Sequence, residues 1–132
     1  MNTKYYLNKD ILPLPHDCII KEIRLEDENL IFIFEDDITY HDSIINNNAK
    51  SLIIKYHLLD KDFKTYVYRS KFALFKEGYQ LINNKNIIGI QSIPLEYLYH
   101  NQGSYSIIIK LYKKELIMIE LEVDYIEYEW IM

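Results

Sequence analysis

The sequence predicts a mainly β protein in which a curved antiparallel sheet forms a barrel or sandwich of seven or eight strands. Apolar residues alternate with period two in several segments, and short polar clusters separate those segments. Ala49 and Ala73 are the only alanines among 132 residues. Because alanine is the best helix former, its scarcity favours strands. We expect at most one short helix and assign residues 1–132 to a single domain.

Four strands are predicted in the first half of the chain, after a loose, extended start that ends at Pro13-Leu14-Pro15. They span residues 18–25, 30–35, 51–58 and 64–72. The polar residues 26–29 supply a turn between the first two strands. Residues 30–34 are apolar on both faces. This strand is therefore expected inside the sheet or covered on both sides, and it is the best candidate for the centre of the core.

The middle of the chain predicts a hairpin and then the one helix. Two short strands at residues 79–82 and 87–90 flank the polar residues 83–86, which form the predicted hairpin loop. Residues 92–98 are predicted to be helical because Pro94 suits the first turn of a helix.

The last two strands carry the clearest alternation, over residues 105–111 and 117–123. Their apolar rows face the same core if Leu111 lies opposite Ile117.

The apolar phase then changes, since Ile126, Tyr128 and Trp130 are even-numbered where the preceding row is odd. A period-two strand needs a bulge or bend to do this, and the sequence predicts one near Asp124-Tyr125.

Composition excludes several classes of protein. The formal net charge of −5 argues against a nucleic-acid binder. Cys18 is the one cysteine, so an intramolecular disulfide is excluded and a reducing, cytoplasmic location is expected. The three glycines are too widely spaced for phosphate-binding loops, and no apolar run is long enough for a signal peptide or a membrane span. We expect no metal and no cofactor.

Acidic residues are concentrated in two blocks. Residues 22–42 contain eight acidic residues and one basic residue, and the chain from Glu115 onwards contains six acidic residues and no basic one. Glu120, Glu122 and Asp124 alternate with apolar residues, which predicts a carboxylate row on one strand face with a spacing of about 7 Å. The simplest interpretation is a solvated face with cross-strand pairing to Lys110.

The functional interpretation of this row is a docking surface for a basic protein partner. Asp36, Asp37 and Tyr125 are further candidate contacts, because they add acidic and tyrosine side chains of the kind found at interfaces.

The pair His16-Asp17 precedes the first predicted strand, and its role stays open between a turn and a functional motif. His16 and Cys18 would project to one strand face, as a thiol and imidazole pair requires. No orienting group or oxyanion donor completes a catalytic set, so we do not expect an enzyme.

The stretch from His16-Asp17-Cys18 to residue 23, followed by the apolar residues 30–34 and by the late Tyr128-Glu129-Trp130, resembles small β-rich immunity proteins of bacterial polymorphic toxin systems. It covers about the first quarter of the chain and its last few residues. The resemblance implies a cytoplasmic protein that neutralises a toxin by binding it. Only His16 and Asp17 match the family's pair.

The sequence thus predicts a non-enzymatic binding module with a basic protein partner. A small-ligand barrel and a self-associating β protein, such as a homodimer that pairs sheet edges, remain as alternatives.

Overall fold

The computed structural model describes residues 2–39, 49–69 and 78–132, without the side chains of residues 91 and 92. These residues form nine strands, one more than the upper expectation: β1 (Asn2–Tyr6), β2 (Ile19–Glu26), β3 (Asn29–Phe34), β4 (Ser51–Leu58), β5 (Lys64–Arg69), β6 (Gly78–Ile82), β7 (Gly89–Gln102), β8 (Ser106–Lys113) and β9 (Glu115–Ile131). A 3-10 turn spans Asn84–Asn86. In these described ranges, no helix has the length and apolarity to cross a membrane. The mainly β fold class is confirmed.

Six strands close into an antiparallel barrel. Neighbouring strands follow the order β4-β3-β2-β7-β8-β9, and β9 pairs in turn with β4. The remaining strands extend the sheet from β9. β1 pairs with the second half of β9, β5 pairs with its first half, and β6 pairs with β5. β9 is therefore the strand that joins the barrel to its extensions.

A bulge at Asp124 divides β9 into a first half, residues 115–123, and a second half, residues 125–131. His57 lies opposite Tyr125 while Leu58 lies opposite Val123, so Asp124 is the extra residue. Buried residues are odd-numbered up to Val123 and even-numbered from Ile126. The predicted bulge is confirmed.

The predicted register of the last hairpin is also confirmed. Leu111 lies opposite Ile117 across β8 and β9, and both are buried. Lys114 forms the turn between the two strands, with a φ of 62°.

β3 lies between β2 and β4, as its apolar character on both faces predicts. Leu30, Phe32 and Phe34 are buried in the interior. The ring centroid of Phe32 lies 5.0 Å from that of Tyr56 and 6.3 Å from that of Tyr97. Edge-to-face rings therefore fill the centre of the barrel.

The predicted helix at residues 92–98 is wrong, because this segment belongs to β7. Leu95 and Tyr97 are buried on alternate positions, as in a strand. The ladder to β2 is interrupted between Ile90 and Leu95. Pro94 lies in this interruption, where its missing N–H disturbs no ladder hydrogen bond.

The predicted hairpin of residues 79–90 is also wrong, because β6 pairs with β5 whereas β7 pairs with β2 and β8. Asn84 explains the departure. Its side-chain amide donates to the Phe63 carbonyl at 2.6 Å, and its oxygen accepts from the Thr65 hydroxyl at 2.8 Å. These bonds fix the connection to the start of β5. Residues 70–72 of the predicted strand 64–72 lie outside the described residues.

The start of the chain is more ordered than predicted, since β1 pairs with β9 from Asn2 to Tyr6. Residues 7–15, here called the strap, then pass over interior side chains of β4 and β9. The Gln102 side chain bonds the Leu7 carbonyl, the Asp10 carbonyl and the Leu12 N–H. The Tyr128 hydroxyl donates to the buried Pro13 carbonyl at 2.7 Å.

Candidate binding surface

Two of the predicted carboxylates meet two others around an open cleft of about 400 Å³ beside the first half of β9. β9 contributes Glu120 and Glu122, and the connection between β4 and β5 contributes the other two acidic residues. The polar residues that line this acidic cleft are Asp60, Asp62, Lys64, Ser106, Glu120 and Glu122. Phe63 and Leu121, both largely buried, complete part of its lining.

Strand pairing determines the position of each carboxylate. Glu120 lies between Lys64 on β5 and Ile108 on β8, and Glu122 lies opposite Ser106. The Leu59 N–H donates to the Glu122 carbonyl at 2.8 Å, which fastens the β4–β5 connection to β9.

The acidic pair of this connection is shaped by a local turn, in which the Asp62 N–H donates to the Asp60 carboxylate at 2.8 Å. Such a turn is common for Asp.

The acidic cleft contains four carboxylates and one lysine. This excess of negative charge attracts cationic groups. Within the residues that the structure describes, no group of three His, Cys, Asp or Glu side chains could hold a metal ion. The arrangement suits recognition of cationic side chains.

Asp124 and Tyr125 lie apart from this cleft, in contact with His57. The Asp124 carboxylate is 2.7 Å from His57 Nδ1 and accepts from the Tyr125 N–H at 2.8 Å. The Tyr125 ring stacks on the imidazole at 4.6 Å, and Glu28 is 3.4 Å from His57 Nε2. The expected row of three carboxylates is therefore a pair, because the bulge removes Asp124 from the alternation.

Asp36 and Asp37 follow β3, away from the cleft residues. Asp36 forms an ion pair with Lys21 at 2.6 Å. Asp37 accepts hydrogen bonds from the hydroxyl and the N–H of Thr39, and these bonds lower the pKa of its carboxyl.

The expected pairing of the carboxylate row with Lys110 is wrong, because Lys110 lies opposite Met118. Its ammonium instead donates to the Tyr79 hydroxyl at 3.2 Å and lies 5.0 Å and 5.9 Å from the ring centroids of Tyr79 and Tyr99. The hydrogen bond to Tyr79 raises the pKa of Lys110.

His16 and Asp17 form a turn before β2. The Asp17 N–H donates to the Tyr97 carbonyl, Asp17 has a φ of 65°, and His16 Nδ1 bonds the Leu98 carbonyl. The Cys18 thiol donates to the His16 carbonyl. Burial raises the pKa of Cys18 to about 12, so the thiol stays protonated at neutral pH.

The interior contains buried polar groups. The Tyr97 hydroxyl is 2.6 Å from His100 Nδ1. Burial lowers the pKa of His100 to about 4, so its imidazole is neutral at neutral pH. Burial also raises the pKa of Tyr56, Tyr97 and Tyr128.

Sequence reasoning missed Asp60 and Asp62. They are the only acidic residues in the basic stretch of residues 50–76. Their position between two strands was the available signal, but it becomes informative only once both strands are placed beside β9.

Comparison with known proteins returned no match to a protein-family model, a curated protein or a solved structure.

Proposed function

We propose that this protein is a non-enzymatic binding module of the toxin-neutralising immunity type, and that its acidic cleft docks a basic protein partner. The observation that carries this proposal is the convergence of Glu120 and Glu122 with Asp60 and Asp62 around one cleft. Residues from separate parts of the chain thus give one surface an excess of negative charge.

The form of the cleft supports a protein partner. An interface needs charges that select the partner and apolar area that excludes water. The cleft offers both, because the partly exposed Ile108 lines it together with the carboxylates. A lysine or arginine side chain of a partner could bring its ammonium or guanidinium to the carboxylates and its methylene groups to Ile108.

Protein binding at the acidic cleft is also favoured over the alternative of a barrel that holds a small ligand. Ligand pockets usually occupy about 300 Å³ or more and enclose most of the ligand, whereas the acidic cleft of about 400 Å³ is open. The depression beside Pro13, Tyr128 and Trp130 is too narrow to admit a water molecule. Interior rings of Phe32, Tyr56 and Tyr97 contact one another around the barrel centre.

The test uses the proteins encoded beside this gene, each purified and titrated against the chain by calorimetry at low and high salt. We expect one basic protein to bind, with weaker binding at high salt. The double variant Glu120→Gln/Glu122→Gln should weaken binding by about tenfold, mainly through slower association.

The matched control is Glu127→Gln/Glu129→Gln, which removes the same two charges at the same spacing from the second half of β9 and should bind as the wild type does. If none of the neighbouring proteins binds, or if both double variants lose affinity equally, the proposal is wrong.

A further inference from the structure

An outward-facing platform of tyrosine and apolar side chains adjoins the acidic cleft and shares none of its lining residues. One row crosses five strands in register: Tyr99, Lys110, Met118, Tyr66 and Leu81. Two pairs extend it toward the β8–β9 turn: Tyr112 with Leu116 and Tyr68 with Tyr79. We call these nine residues the tyrosine platform.

The tyrosine platform leaves substantial apolar area in contact with solvent. Leu81 is 64% exposed, Tyr112 43% and Tyr99 39%. Single exposed apolar residues need no explanation, but a contiguous group marks an interaction surface. Tyrosine is also the residue type that interfaces favour most consistently, since it buries a large ring at little entropic cost.

Charge is arranged with opposite sign at the two ends of this platform. Glu122 lies at one end, beside Asp60 and Asp62 of the acidic cleft. Lys114, exposed in the β8–β9 turn, lies at the other. Met118 is four residues from each, which corresponds to about 13 Å of strand on either side.

We propose that the tyrosine platform binds a second copy of this chain, forming a two-fold dimer that goes beyond the proposed function. Consider a two-fold axis that lies between the two facing sheets, perpendicular to β9, and passes over Met118. It places Lys114 of each copy opposite Glu122 of the other. An axis along β9 would instead place Glu122 against Glu122. Charge complementarity at the two ends therefore favours the antiparallel arrangement, in which each end contact occurs twice, while the same axis runs along the central row and brings Lys110 of one copy opposite Lys110 of the other.

The size of the face is compatible with a dimer. Five strands spaced by about 4.8 Å are about 24 Å wide, and the stretch from Lys114 to Glu122 spans about 26 Å. The projected area of roughly 600 Å² is close to the ~800 Å² of accessible surface that each partner buries in a typical stable interface.

Lys110 is the one charge in the central row, and it keeps partners when the platform is covered. Its ammonium bonds the Tyr79 hydroxyl and lies over the rings of Tyr79 and Tyr99. Cation–π contacts of this kind strengthen as water is excluded.

Analytical ultracentrifugation of the full chain from low micromolar to near-millimolar concentration tests the proposal. We expect a concentration-dependent dimer. Lys114→Glu and Glu122→Lys should each raise the dimer dissociation constant by about tenfold or more, and the double variant Lys114→Glu/Glu122→Lys should restore it. Leu81→Lys should also dissociate the dimer, without strong salt dependence. Glu26→Lys, at the end of β2, is the charge control.

A wild-type monomer throughout the concentration range overturns the proposal, and so does a double variant as dissociated as the single ones. Circular dichroism verifies that each variant is folded, and the wild-type measurement decides the question if a variant is not. Because Lys114 lies outside the acidic cleft, Lys114→Glu separates loss of the dimer from loss of the basic partner. A basic partner and the second copy compete for Glu122, so partner binding should dissociate the dimer.

Discussion

The two halves of β9 carry similar outward carboxylates in different surroundings. In the second half, Glu127 lies between Lys4 on β1 and Lys55 on β4. In the first half, Glu120 has one lysine neighbour, Lys64, and faces Ile108 on its other side. Cross-strand neighbours therefore decide whether a carboxylate lies among cationic residues or contributes to a charged surface.

The inward faces of the two halves differ as well. The first half contributes the aliphatic residues Ile117, Ile119 and Leu121, whereas the second contributes the aromatic residues Tyr128 and Trp130. Tyr128 also bonds the strap through its hydroxyl. The second half thus anchors the interior, while the first half borders the surfaces that we propose for binding.

Truncating one side chain in each half should give the largest contrast. Tyr128 is fully buried, so Tyr128→Ala should lower the free energy of unfolding by about 3–5 kcal/mol. Met118 faces outward and is half-buried, so Met118→Ala should cost less than about 1 kcal/mol. Urea denaturation followed by circular dichroism measures both.

If Tyr128→Ala does not fold, Tyr128→Phe replaces it. This variant leaves the buried Pro13 carbonyl without its hydroxyl donor and should cost about 1–2 kcal/mol. Equal losses for Tyr128 and Met118 variants would contradict the assignment of the anchor to the second half.

The interior should also make stability depend on pH. Burial lowers the pKa of His100 to about 4 from its ordinary 6.5. Between these values the unfolded chain binds a proton that the folded chain excludes, so the free energy of unfolding falls as pH falls through this window. The full contribution, present above pH 6.5, is on the order of 3 kcal/mol.

His100→Gln keeps a side chain that can form a hydrogen bond with the Tyr97 hydroxyl but does not titrate. The difference between the wild-type and His100→Gln unfolding free energies should therefore change between pH 6.5 and pH 4. A constant difference across this range would show that His100 is not held neutral by burial.

The smallest expected effect comes from neutralising one outward carboxylate in each half of β9. Glu127→Gln leaves Lys4 and Lys55 without the carboxylate between them and should cost a few tenths of a kcal/mol. Glu120→Gln removes a negative charge from among three others in the acidic cleft and should be neutral or slightly stabilising. Thermal unfolding at low salt measures both, and the reverse order would contradict the comparison.

Period-two alternation predicted the features of the fold that are set by which face of a strand is buried. The pairing of Leu111 with Ile117 and the bulge at Asp124 both follow from rows of buried residues, because a shift of one residue would expose a whole row. Pro94 misled the local interpretation, since its role in β7 depends on a gap in pairing with the distant β2.

The candidate surface was predictable only in part, for a related reason. Glu120 and Glu122 were identified because they alternate within one strand. Asp60 and Asp62 are about half the chain away from Glu120 and Glu122 in the sequence. The pairing of β4 and β5 with β9 brings the four residues together. Contacts between distant segments leave no local pattern in a single sequence.

The pairing of β1 with β9 has a consequence for synthesis of the protein. Asn2 lies opposite Glu129, and the barrel closes only when β4 meets the second half of β9. β9 follows all its partner strands in the chain, so the ribosome delivers it after them. The edges of the earlier strands therefore stay unpaired until β9 has been synthesised. Barrel closure should be a late, slow event in folding.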